Sequence, residues 1–155
     1  MERLVRPKVV GSINVKTVTG CGNMYIQMGW WEGSLHEVFA TLGRGGGCAM
    51  GYSEALTRSI TAGLRRGVPV SEYAKQLKGV RCPTPMMFPK EDAVWSCPDA
   101  IGKALEQYGS LTVGDVIGLI KDLNAPSSEV SEEDEAEEAA KHIEELREER
   151  EKLGL

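Results

Sequence analysis

The feature that most constrains this chain is a change of hydrophobic period partway along it. Ile13, Val15 and Thr17 alternate with polar neighbours, and after Thr19-Gly20-Cys21-Gly22 the trio Met24, Ile26 and Met28 alternates again. Alternation places every second side chain on one face of a strand, so this stretch predicts a β-hairpin. Trp30-Trp31-Glu32-Gly33 predicts the next turn. Leu35 to Leu42 then reads as a third strand with apolar residues on both faces, expected to be central or covered. Beyond residue 47 the spacing becomes helical: Tyr52, Leu56, Ile60 and Leu64 recur until Gly67 stops the helix. Pro69 and Ser71 open a shorter helix through Leu77, ended by Gly79. Ser96, with Asp99 three residues on, opens a third through Tyr108, ended by Gly109, and Thr112 with Asp115 opens a fourth through Leu123. Strands first and helices after define an α+β class: an N-terminal antiparallel β-meander followed by a helical half.

The expected organisation is one domain over 1–123, a linker over 124–131 and a charged C-terminal helix over 132–155, capped by Ser131 and Asp134. In that last helix Ala139, Ile143, Leu146, Arg150 and Leu153 form a stripe too short for a coiled coil, so a solvated helix is expected. Residues 1–126 hold 14 Lys/Arg and 11 Asp/Glu, and 127–155 hold 4 and 12. A mildly basic body beside an acidic tail allows an anionic ligand but lacks the positive excess of a duplex nucleic-acid binder. No run approaches the length of a membrane span, and the N-terminus lacks the apolar core of a secretory signal. A soluble cytoplasmic protein is expected.

Four cysteines occur singly, Cys21, Cys48, Cys82 and Cys97, each beside a turn-forming Gly or Pro. There is no CxxC pair, so zinc-finger spacing is absent, and a disulfide framework is not expected. Two readings stand side by side: small buried core thiols, or turns that bring four thiolates together as a tetrahedral site for a structural zinc. Cys97 falls in the first turn of the helix that Ser96 opens. The amides and positive dipole end there favour a thiolate suited to metal, redox work or a neighbouring anion.

Arg44-Gly45-Gly46-Gly47-Cys48 joins strand to helix, and such a backbone can present N–H groups to a phosphate or simply let strand and helix pack closely. It is neither a GxGxxG fingerprint nor a P-loop. Arg58, Arg65 and Arg66 lie on the first long helix, with Arg44, Arg81 and Lys90 on loops. The planar guanidinium suits phosphate, while a solvated arginine does nothing specific. Trp30, Trp31, Phe88 and Trp95 stand near predicted turns, where they serve either as core or as platforms for a base. His36 and His142 have no convincing nucleophile or carboxylate neighbour in sequence, so no catalytic set is expected.

Thr19-Gly20-Cys21-Gly22-Asn23-Met24-Tyr25, Glu37-Val38-Phe39-Ala40-Thr41-Leu42-Gly43, Gly46-Gly47-Cys48-Ala49, Gln76-Leu77-Lys78-Gly79-Val80-Arg81-Cys82-Pro83 and Ser96-Cys97-Pro98-Asp99-Ala100-Ile101 together resemble the TSCPD domain, over about residues 12–108. That domain is best known near the C-terminus of cobalamin-dependent ribonucleotide reductases. A chain of this length has no room for their barrel, so the resemblance implies at most a detached accessory or redox module. As a free-standing protein the chain also looks like the phage Thoeris anti-defence sponges, which bind cyclic ADP-ribose-type signals, and in some members cyclic oligonucleotides, as symmetric oligomers without cleaving them. On this resemblance the expectation is a non-catalytic homo-oligomer that sequesters a cyclic nucleotide. From the residues themselves, Arg44, Gly45, Gly46, Arg58, Arg65, Arg81 and Lys90 would hold phosphates while Phe88 or a tryptophan stacks on a base, and, as a separate structural expectation, Cys21, Cys48, Cys82 and Cys97 would hold zinc.

Overall fold

The computed structural model describes residues 4–43, 47–87 and 89–124. The expectations for Arg44, Gly45, Gly46 and Phe88, for the linker beyond Asn124 and for the acidic helix over 132–155 lie outside the described residues. Strands β1 (Gly11–Thr19), β2 (Gly22–Trp31) and β3 (Ser34–Leu42) form one antiparallel sheet in the order β1-β2-β3, the meander that the alternation implies. Ile13 faces Met28, Val15 faces Ile26 and Thr17 faces Met24, so the alternating apolar positions share one face. Met24, Ile26 and Met28 are fully buried there.

β2 runs on through Trp30 and Trp31, so the second turn is the pair Glu32-Gly33 alone. Both residues have positive φ, 50° and 79°, the left-handed backbone that a two-residue hairpin needs. Gly29 pairs with Glu37 but Trp30 pairs with Leu35, which leaves His36 as an extra residue on β3. That bulge explains why Leu35, His36, Glu37 and Val38 are buried in succession where simple alternation would expose two of them.

β3 is covered rather than central: it is an edge strand, and helix α1 (Cys48–Leu64) packs along it. Thr61 Oγ1 accepts from the Val38 amide at 3.0 Å and donates to the Val38 carbonyl at 3.0 Å, so one hydroxyl satisfies both edge groups of a fully buried residue. Met50 Sδ approaches the Leu42 amide at 3.4 Å. The buried face of α1 is Ser53, Thr57, Ile60, Thr61 and Leu64, whereas Tyr52 is 77% exposed. Of the spaced apolar residues, Ile60 and Leu64 lie on that face and Leu56 packs beside the core, so Tyr52 alone falls off it. Ser53 and Thr57 donate back to the carbonyls of Ala49 and Ser53, so their hydroxyls enter the interior already paired.

Helix α2 (Val70–Leu77) packs on α3 (Cys97–Tyr108), and α4 (Val113–Asn124) follows. Thr112 and Asp115 form the expected reciprocal cap, the Asp115 amide bonding Thr112 Oγ1 at 3.2 Å and the Thr112 amide bonding Asp115 Oδ2 at 2.8 Å. Gly102 sits where α3 meets the end of α2, and a Cβ there would come within 2.8 Å of the Lys78 amide nitrogen. Only glycine permits that approach. Ile101, Ala104 and Leu105 of α3 join the sheet residues and Ile60 in one core.

Candidate functional site

The Ser96-Cys97-Pro98-Asp99 run opens α3, and each residue has a separate structural task. Ser96 is the N-cap: its Oγ accepts the Asp99 amide at 3.2 Å and donates to the Val80 carbonyl at 2.6 Å. Pro98 occupies the first turn, where no amide is missed. Asp99, 1% exposed, accepts from the Gly79 amide at 2.7 Å, from the Trp95 amide at 2.9 Å and from Lys103 Nζ at 3.1 Å. Burial works to raise the pKa of this carboxyl, but the two amides and Lys103 outweigh it and hold it below the usual carboxylate value. Asp99 thus ties the segments on either side of the proline-rich loop to the start of α3. It is a positioning residue.

Cys97 is 8% exposed, and its thiol meets the buried Thr19 hydroxyl across the sheet-to-helix boundary, Sγ to Oγ1 3.8 Å. The same Oγ1 accepts the Cys21 amide at 3.2 Å and donates to the Gly22 carbonyl at 2.9 Å, so Thr19 closes its own hairpin turn and anchors it to α3. Gly20 presses on the loop before α3 so closely that a Cβ would lie 1.6 Å from the Thr84 carbonyl oxygen. On that loop the Cys82 amide bonds the Trp95 carbonyl at 3.1 Å, and its Sγ lies 3.9 Å from Thr84 Oγ1. Three of the four cysteines therefore gather at one corner. Burial pushes the Cys97 thiol pKa up against the lowering bond to Thr19, and the neighbouring Cys21 and Cys82 push it further. The helix start does not make it a ready thiolate. Cys48 is exposed at the start of α1. Among the described residues no group of three or more His, Cys, Asp or Glu side chains is placed to hold a metal ion.

The expected phosphate-binding cations are scattered over different tasks. Arg65 is 6% exposed and donates to Glu37 Oε2 at 2.7 Å, a carboxylate that Arg6 also holds through Nε at 2.7 Å and Nη2 at 2.9 Å. Arg81 stacks on the Trp95 ring, 4.3 Å from its centroid. Arg58 pairs with Glu54 on the exposed face of α1, and Lys90 begins a short 3-10 turn, Lys90–Asp92. Trp30 is core, 2% exposed, while Trp31 is 40% exposed at the end of β2.

A groove of about 850 Å³ lies between β1 and α3, with Val15, Lys16, Met86, Lys103, Ala104 and Tyr108 among its walls. Met86 and Val94 both line it, and their backbones bridge each other at 2.8 and 2.7 Å, which draws the proline-rich loop to the groove. The groove's lining is mixed: it offers apolar side chains, a half-buried phenol and two ammonium groups, one of them bonded to Asp99 and to the Ala93 carbonyl, and Asp92 and Glu106 add acid. Sequence reasoning passed over Lys16, Lys103 and Tyr108. Lys103, four residues after Asp99 on a predicted helix, was the one with a local signal.

Among the described residues no helix is long and apolar enough to cross a membrane. The family model described as the TSCPD domain matches residues 2–109, which takes in the sheet, the thiol corner, α1, α2 and α3. No curated protein and no solved structure matches the chain.

Proposed function

We propose, for a chain that belongs to the TSCPD-domain family, a non-catalytic role: binding a cyclic nucleotide signal and holding it out of solution. The observation that supports this reading is the β1–α3 groove. Its volume, about 850 Å³, is within the range of small-molecule sites, and its walls combine apolar cover with Tyr108, Lys16 and Lys103. Tyr108 supplies a face for a base, and Lys16, the exposed ammonium at the groove, supplies charge for phosphate. Binding of this kind needs strong ground-state contacts and no group aimed at a transition state. A symmetric homo-oligomer and a phage anti-defence setting belong to the same proposal.

The test is uptake and release. Full-length protein is incubated with cyclic ADP-ribose isomers and cyclic dinucleotides, titrated by calorimetry, then heat-denatured, and the supernatant is resolved by mass spectrometry. Saturable binding with recovery of the intact molecule is expected, and Lys16→Glu is expected to weaken it at least tenfold. A hydrolysed product would identify an enzyme, and no uptake of any cyclic nucleotide overturns the reading. Light scattering on the same sample measures the oligomer.

The family match itself favours a second reading, a detached accessory module of a cobalamin-dependent ribonucleotide reductase. That reading requires stable association with a reductase lacking such a domain. Co-elution of the two on a sizing column checks it.

A further inference from the structure

The thiol corner has a chemistry that neither the capping of α3 nor the groove uses. Cys21 and Cys97 are 76 positions apart, yet both are fixed to one hydroxyl: Thr19 Oγ1 receives the Cys97 thiol at 3.8 Å and the Cys21 amide at 3.2 Å. The hydroxyl's own hydrogen goes to the Gly22 carbonyl at 2.9 Å, so all of its bonding capacity is spent on holding the turn against α3. Between the two anchors Gly20 lies against the Thr84 carbonyl, where a Cβ would stand at 1.6 Å. The turn is held from two sides. Exposure then separates the two thiols: Cys21 is exposed and Cys97 is buried. Cys82, of intermediate exposure, has its sulfur beside Thr84 Oγ1.

We propose that Cys21 and Cys97 form a reversible disulfide that staples the β1–β2 turn to the start of α3, installed by exchange with a low-molecular-weight disulfide of the glutathione type. The Cys21 thiolate, the one an external reagent can reach, attacks a sulfur of the small disulfide. That S–S bond breaks, one small thiolate leaves and takes a proton from water, and Cys21 carries a mixed disulfide. Cys97 attacks the Cys21 sulfur from inside the fold, the Cys21–small-thiol S–S bond breaks, and the second small thiolate departs as a thiol carrying the Cys97 proton. Two cysteine thiols are oxidised to one disulfide, and the small disulfide is reduced to two thiols. The buried partner needs no access to solvent because its target is delivered by the turn. This proposal is independent of the nucleotide reading.

The experiment uses the full chain in glutathione buffers of increasing oxidising strength, followed by acid quenching, alkylation and peptide mapping. The expected product is a linked peptide pair containing Cys21 and Cys97, with Cys48 and Cys82 alkylated. Its melting temperature should rise by about 5–10 °C and return on reduction, as a cross-link over a long loop predicts. Cys21→Ser lies on an exposed turn and should keep the native circular dichroism while losing the linked pair; Cys82→Ser should form the pair as the parent does. A bond that maps to Cys82, a glutathione adduct that persists on Cys21 while Cys97 stays free, or a stoichiometric metal that protects the thiols overturns the proposal.

Discussion

The two edges of the sheet are built in opposite ways. At the β3 edge, α1 aims Thr61 and Met50 at the strand's backbone, and Arg65 from the end of the helix reaches a buried carboxylate, Glu37. At the β1 edge Ile13, Val15 and Thr17 are only partly buried, Lys16 stands in solvent, and the groove runs beside the strand. One edge spends its polar groups on closure. The other leaves apolar surface open and carries a charged residue in mid-strand, a common guard against unwanted strand pairing. In a single small sheet, stability and access have been assigned to different sides.

The strongest way to break that contrast is at the closed edge. Glu37→Ala leaves Arg65 buried without its counter-ion, and a loss of about 3–5 kcal/mol is expected in urea denaturation. A loss close to zero would mean that the closed edge is held by packing alone. Next in size is Thr61→Val, nearly the same shape without the hydroxyl. It strands the Val38 amide and carbonyl and should cost about 1–3 kcal/mol.

Acid acts on the same edge through His36. It is 2% exposed with Nε2 unpartnered, and burial first, then the neighbouring positive charge of Arg65, push its pKa below the ordinary value of 6.5. The unfolded chain therefore takes up the proton more readily. Stability from this group is full above about pH 6.5 and falls as the pH drops toward the lower folded value. Denaturation midpoints measured from pH 7 to 5 should decline, and His36→Gln should flatten that decline. Asp99 adds a second acid loss lower down: its contribution is full above about pH 3.9 and is lost as the pH falls through its lowered folded pKa.

The smallest effects belong to the open edge. Val15→Thr should cost less than about 1 kcal/mol, and Lys16→Glu should stay within about 0.5 kcal/mol because the side chain is exposed. Equal costs at Val15 and Thr61 would erase the distinction between the edges. A Lys16 variant that unfolds would do the same.

The meander, the starts and stops of the helices and the Ser96-Asp99 cap were legible because they are local. Alternation, turn residues and capping geometry act within a few positions of each other. Ile60 and Leu64 on the buried face of α1 were legible from their spacing, but its polar part was not: Ser53, Thr57 and Thr61 look like solvent-facing residues until their hydroxyls are seen to bond backbone carbonyls and the β3 edge. Arg65 likewise reads as a surface cation, and only the bulge at Gly29/Trp30 and the approach of Glu37 turn it into half of a buried pair.

The cysteines divide in the same way. By itself the sequence determined four single thiols beside turns, one of them in the first turn of a helix, since those follow from residue order and local propensity. Only the tertiary structure decided that Thr19 holds the Cys21 turn against Cys97, and that burial at the start of α3 raises the pKa of that thiol rather than lowering it. The physical reason is that the helix dipole is a property of a few consecutive amides, whereas desolvation depends on which distant segments close over the group.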